Sequence, residues 1–311
     1  MASRLGVKAI LTFSAGWFAN SAYNQLYGKQ SKECESVLVD GRVISRRPAL
    51  PIFGVVSAAT PYDTNSGADA PSRVSQIMQY GFPSLDNIRS FDNYVLSYDR
   101  RNRVANWVFE HLTPEGVKHN DAVDRAKCDF TEDLSIHPFF RSTNADYKGS
   151  GYDRGHLAAA GNHKAHQKHC EQTFLLSNMA PQVGRGFNRD SWNRLERQVR
   201  KMTKTHPNVY VCTGPLYLAQ KESNGKSYVK YEVIGKNMVA VPTHFFKIVV
   251  AEDPNKNFIM EAYVMPNAVI SDDTPLSSFM VKPETIEKLS GLLFFDRFSR
   301  DKLKSINGKK A

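Results

Sequence analysis

Apolar positions along the chain fall into two kinds of run. Short stretches rich in β-branched and aromatic residues, bounded by Gly, Pro, Asn or Asp, predict strands at "NVYVCTGPLYL", "YVKYEVIG", "THFFKIVVAED" and "NFIMEAYVMPN". "NYVLSYDRRNRVANWVFEHL" holds two such runs around a polar turn at Asp99 to Asn102, which predicts a β-hairpin. Helical spacing is rarer. "NRDSWNRLERQVRKMT" puts Trp192, Leu195, Val199 and Met202 on one apolar face. "HKAHQKHCEQTF" fits a short helix, as does "SQIMQYGFPSL", which Gly81 and Pro83 end. "KPETIEKLSG" begins with Pro283 near its first turn and stops at Gly291. Together these predict an α+β fold, a mainly antiparallel central sheet flanked by helices.

The pattern breaks down toward the N-terminus. Before Glu33 the chain carries Arg4, Lys8, Lys29 and Lys32 and no acid, the composition of a mitochondrial presequence. The uncharged run Ala9 to Gly28 has the length of a bilayer span, about 20 residues, but is rich in Ser, Asn and Gln. Residues 1–45 therefore read as a targeting or anchor segment, with membrane association through it as one expectation and a secretory signal as the alternative. Residues 46–72, rich in Pro, Ala and Ser, read as a linker or arm. The folded domain is expected over 73–300, with 301–311 as a basic tail.

Composition narrows the class. The 311 residues include 41% hydrophobic residues, enough for a sizeable core. Lys and Arg number 41 against 31 acids, a net charge of +10 that favours polyanionic partners and leaves the fold open. Cys34, Cys128, Cys170 and Cys212 are scattered without a CxxC and read as free thiols or isolated core residues.

The candidate chemistry lies between Tyr152 and Lys201. "YDRGHLAAAGNH" sets an acid, a guanidinium, a glycine and an imidazole side by side. A general base and a fixed cation are what phosphodiester cleavage needs. If the long helix starts near Asn188, then Asn188, Trp192, Glu196 and Arg200 follow at steps of four along one side. A bland alternative makes Glu196 and Arg200 a helix salt bridge and Asn188 a helix cap.

"DRGH", then "LSNMAPQ", then "FNRDSWNRLE" resembles the DNA/RNA non-specific endonucleases, with their ββα-metal active site. The likeness runs from about Ser72 to Phe295. It resembles a mitochondrial branch of the family, and Asp153 at the first motif position favours that branch over a paralogous one that has Ser there. The resemblance implies His156 as general base, Asn188 as the sole protein ligand of Mg²⁺ (with Mn²⁺ as a substitute), and Glu196 holding metal-bound waters. It implies Arg154 and Arg200 at the phosphate. Asp153 and Asn178 are expected in support, and Trp192 and Arg125 on the substrate side or, for Trp192, in the core. It further implies DNA and RNA as substrates, 5′-phosphate and 3′-hydroxyl products, and a homodimer. The implied location is the mitochondrial intermembrane space, with nuclear entry and DNA degradation during cell death.

Two other readings compete. A catalytically silent basic module binding nucleic acid or anionic lipid would need none of His156, Asn188 and Glu196 at these spacings. A zinc site could use His163, His166, His169 and Cys170, although no second ligand pair stands at zinc-finger spacing.

Overall fold

The computed structural model describes residues 71–311 and, ahead of them, the backbone of Ser36–Val39 and Arg42–Ser45, which pair antiparallel. The rest of the expected targeting segment, and residues 46–70 of the expected arm, lie outside the described residues. The chain divides into two units, Met1–Ala68 and Asp69–Ala311. Among the described residues no helix is long and apolar enough to cross a membrane.

The second unit is α+β. In chain order its sheet strands are β1 (Ile88–Ser90), β2 (Tyr94–Asp99), β3 (Val104–Leu112), β6 (Asn208–Leu216), β7 (His244–Glu252), β8 (Phe258–Pro266), β9 (Leu303–Ile306) and β10 (Lys309–Lys310). The intervening β4 (Tyr152–His156) and β5 (Met179–Val183) form a separate antiparallel ribbon. The eight-stranded sheet runs β10-β9-β8-β7-β6-β3-β2-β1, antiparallel except where β8 meets β9. The predicted hairpin is β2–β3, with Val95 opposite Phe109.

Alternation assigns the two faces of the sheet. Val108 and Leu112 of β3, Val209 and Val211 of β6, and Phe245 and Val249 of β7 join one core with Leu157, Met179, Phe187, Trp192, Leu195 and Val199. That core packs the ribbon and its following helix onto the sheet. Trp107, Phe109, Tyr210, Phe246 and Ile248 point the other way, toward Ile77, Ile286 and Phe294. Both faces are therefore covered, giving three layers. Each buried large apolar side chain contributes roughly 1.5–3 kcal/mol relative to exposure.

Four α-helices of five or more residues complete the unit, α1 (Arg73–Ile77), α2 (Gln167–Thr173), α3 (Asn193–Met202) and α4 (Pro283–Ser290), beside a four-residue one at Asn144–Tyr147. Three details differ from the sequence reading. The first helix starts at Arg73, capped by the Ser72 hydroxyl, and is over before Gly81. "YVKYEVIG" yields only the short pieces Ser227–Val229 and Val233–Ile234, each in its own two-stranded ladder, because its side chains are mostly exposed and no sheet edge takes them up. The basic tail is strand: Leu303 is buried against Phe258, and β9 folds back on β10 through a tight turn at Asn307 (φ 52°). Its lysines hid the apolar Leu303 and Ile306 that seat it.

Candidate active site

Strand β4 of the ribbon, the segment that follows β5 and helix α3 build one wall of a cleft of about 990 Å³. β4 carries the Tyr152–His156 motif, and its register sets Asp153 opposite Gln182 and His156 opposite Met179. A Cβ on Gly155 would collide with the buried Gln182 side chain, which is why this motif position has no side chain. After β5, Gly184–Trp192 turns as a wide helical segment, with non-helical backbone at Arg185 and Gly186, and passes directly into α3. The local order is strand, strand, helix.

This arrangement brings His156, Asn188, Glu196, Arg200, Arg154, Asp153 and Arg125 to the same cleft. His156 lies edge-on to Phe174 at 4.7 Å between ring centroids, with Phe130 at 5.8 Å. Its Nε2 is buried without a hydrogen-bond partner. Burial, reinforced by the charge of Arg125, lowers the imidazole pKa to about 3, so the ring is neutral and proton-accepting at physiological pH.

Asn188 is oriented by Asp153. The amide Nδ2 donates to Asp153 Oδ2 at 2.9 Å, and the same carboxylate receives Arg189 through two bonds of 2.8 and 2.6 Å. Arg189 and the amide hold the Asp153 carboxyl below its usual range. With Nδ2 committed, the Asn188 oxygen is the end left for a ligand. An N-cap side chain accepts from backbone, whereas this one donates to a carboxylate, so the cap reading of Asn188 fails.

Glu196 and Arg200 line the cleft one helical turn apart. They do not close the helix ion pair of the bland reading: Arg200 Nη1 donates to Asn162 Oδ1 at 2.8 Å. Burial pushes Glu196 up to about 7, opposed by the charges of Lys247 and Arg200, and a nearby divalent cation would favour its ionised form. Arg154 stacks over Phe130, 4.1 Å from the ring centroid, and Arg125 stands over Phe174 at 5.8 Å.

Two expected residues lie behind the cleft. Asn178 is fully buried, accepting from Ala158 N at 2.9 Å and donating to the carbonyls of Ala158 and Thr173, so it braces the turn leaving His156. Trp192 is core, packed with Phe187 and Phe245. The four zinc candidates do not converge: His163 Nε2 meets Glu110 at 2.9 Å and the Cys170 sulfur lies 3.4 Å from Cys128, so that just the His166 and His169 rings lie together, 4.8 Å between centroids. Among the described residues no three His, Cys, Asp or Glu side chains converge as metal ligands.

Sequence reasoning missed Lys148, Lys164 and Arg189, which also line the cleft. Lys148 and Lys164 closely flank the "DRGH" region, and that proximity was the available signal. Arg125, Lys148, Arg154, Lys164, Arg189 and Arg200 face only Asp153 and Glu196 as counter-charges, so the cleft attracts polyanions.

The donor set fits a hard divalent cation. A neutral amide oxygen with a carboxylate nearby suits an ion that keeps most of its waters, as Mg²⁺ does. The same set offers no soft or multi-imidazole site.

Comparisons with known proteins identify the family. A model of the DNA/RNA non-specific endonuclease family matches residues 73–301. Mitochondrial endonuclease G of Caenorhabditis elegans is 48% identical over 277 residues, covering 84% of this chain and 90% of the relative. The Homo sapiens protein of that name is 53% identical over 219 residues, 70% of this chain and 73% of its own length. A solved structure of an EndoG/EndoGI complex, concerned with EndoG inhibition, superposes with a TM-score of 0.77 at 68% identity. It covers 78% of this chain and 99% of that one.

Proposed function

The chain belongs to the DNA/RNA non-specific endonuclease family, a family of hydrolases, and from that premise we propose a Mg²⁺-dependent nuclease that cuts DNA and RNA without sequence preference. One observation carries the reading: Asp153 holds the Asn188 amide so that its oxygen is left for the cleft, whose wall also holds an unpartnered His156 nitrogen. A silent binding module would need neither feature.

In the proposed hydrolysis Arg154 and Arg200 hold the scissile phosphate by charge-assisted hydrogen bonds. His156 takes a proton from the attacking water as that oxygen bonds to phosphorus. The bond from phosphorus to the 3′ oxygen breaks and that oxygen takes up a proton from a solvent water, leaving 5′-phosphate and 3′-hydroxyl ends. No 2′-hydroxyl takes part, so DNA and RNA are both substrates. Asn188 would bind Mg²⁺ directly, with Mn²⁺ as a substitute, and Glu196 would hold its waters. When bound, the ion supplies positive charge at the phosphate and the departing oxygen.

Supercoiled plasmid and single-stranded RNA, each incubated with the purified chain, should both be degraded with Mg²⁺ and remain intact with EDTA. Degradation unaffected by EDTA would overturn the metal-dependent scheme.

Binding should be phosphate-driven, since the cleft presents six cations and helix α3 with the turn after it adds more along Arg194 to Lys204. With about six phosphates neutralised, affinity of a cleavage-dead variant should fall roughly 10³-fold between about 50 and 200 mM salt through counterion release. A flat salt titration would contradict this.

The acid-free N-terminus and the relatives' names support a mitochondrial location; the intermembrane space, and nuclear DNA degradation after release during cell death, are what the family resemblance implies. The resemblance supports a homodimer, and the N-terminal segment could add membrane association.

A further inference from the structure

Arg200 is anchored from behind by a line of buried polar groups that the proposed hydrolysis does not use. Asn162, whose Oδ1 receives Arg200, donates its Nδ2 to Glu110 Oε1 at 2.9 Å. His163 Nε2 lies 2.9 Å from the same oxygen, and His163 Nδ1 lies 3.2 Å from Asn93 Nδ2. Asn93 Oδ1 receives two bonds from Arg73, at 2.8 and 2.6 Å. Glu110 and His163 are fully buried, and Asn162 and Asn93 nearly so.

The direction of every bond in this line is determined. Both ends are guanidinium groups, which donate and never accept. Arg73 therefore fixes the Asn93 oxygen toward itself, which turns Nδ2 to His163. His163 Nδ1 must then accept, so Nε2 carries the hydrogen and donates to Glu110. From the other end, Arg200 fixes the Asn162 oxygen, which turns its Nδ2 to Glu110. The carboxylate closes the line by accepting from both sides. A reversed amide or tautomer anywhere would set two donors or two acceptors face to face.

Packing alone gives no reason for this line. Glu110 sits on the inner face of β3 between the buried apolar Val108 and Leu112, where an apolar side chain would continue the core. Its second oxygen has no hydrogen-bond partner, and a buried carboxylate is costly unless it is compensated. The buried Lys247 of β7, on the same face, supplies opposite charge. On the cleft side, a Cβ on Gly161 would lie 2.8 Å from Arg200 Nη1, so the backbone leaves just the space that the guanidinium fills.

We propose that Asn162 and Glu110, backed by His163, are positioning residues that hold the Arg200 guanidinium in register with the phosphate. This rests on the reading of Arg200 as a phosphate contact given above. A guanidinium free to swing still attracts DNA but is misplaced when charge develops, and misplacement near 1 Å can cost about 10²-fold in rate. The effect should therefore fall on kcat more than on KM.

The test is a double-mutant cycle on plasmid cleavage by the full chain, with melting curves for every variant. Asn162→Leu, close in shape but unable to accept from Arg200, should lower kcat about ten-fold, within the range for coupled networks, with KM nearly unchanged. In an Arg200→Ala background the same substitution should have almost no further effect on kcat. If Asn162→Leu does not fold, Asn162→Ser, too short to bridge both partners, takes its place in the cycle. A wild-type kcat for the folded Asn162 variant, or an equal loss with and without Arg200, would overturn the positioning role. Wild-type turnover by Arg200→Ala would remove the phosphate role itself, and the proposal with it.

Discussion

Alanine at position 156 is expected to slow plasmid cleavage by roughly 10²–10⁴-fold, the usual worth of a general base, while the protein stays folded and still binds DNA. The imidazole lines the cleft, and its Nε2 has no partner within the chain. Removing it therefore breaks no hydrogen bond of that nitrogen, and the loss to stability is confined to contacts with Phe174 and Phe130. The depressed pKa, about 3 and due first to burial, keeps the proton-accepting form available at neutral pH. The proposed phosphate contacts, Arg154 and Arg200, are left in place on the cleft lining, so DNA affinity should survive. Single-turnover cleavage, a DNA-binding titration and a thermal melt on His156→Ala check the three parts. A folded variant that cuts at the wild-type rate would show that His156 is not the base.

The sequence carried the sheet better than its surroundings. Strands such as His244–Glu252 are long and buried on both faces, so their apolar content alone marks them. The residues of "YVKYEVIG" have similar β-propensity but stay largely exposed, and propensity reports no partner. The C-terminal strands failed for the opposite reason, since Leu303 needs β8 beside it before its burial has meaning.

The cleft was legible for a related reason. His156, Asn188, Glu196 and Arg200 lie on a ribbon and a helix that follow one another closely, and their order resembles a known family. What supports them was not legible. Asp153 meets Asn188 across the ribbon, 35 residues on, and Asn162 meets Glu110 from 52 residues away. In the sequence Glu110 is one charge in an apolar strand, and His163 reads as part of a zinc-like cluster. Only the tertiary fold brings both into the hydrogen-bonded line that ends on Arg200. Periodicity identifies which face a residue takes, but hydrogen-bond partners are set by how layers stack.

Asn188 should fail differently from His156. Asn188→Ala removes the oxygen left for the metal and should weaken Mg²⁺ binding itself, so that cleavage is lost at low Mg²⁺ and partly recovered in excess. Asp153→Ala leaves the oxygen in place but frees the amide to rotate, and loss of such an orienting partner typically costs about 10–100-fold in metal affinity. Asn188→Ala should cost at least as much. Asn188→Asp keeps an oxygen and adds charge, which strengthens attraction for the cation yet blunts its action on the phosphate. It also replaces a donor, 2.9 Å from Asp153, by a second carboxylate, so two like charges would face each other whenever the metal is absent. The metal-free Asp variant should therefore melt below the wild type and recover more of its stability on adding Mg²⁺ than the wild type gains. Plasmid nicking across a Mg²⁺ titration, with melts at each concentration, tests the series. If Asn188→Ala cleaves with an unchanged Mg²⁺ requirement, the metal is held elsewhere, and the Asp153–Asn188 pair merely braces the ribbon against the helix.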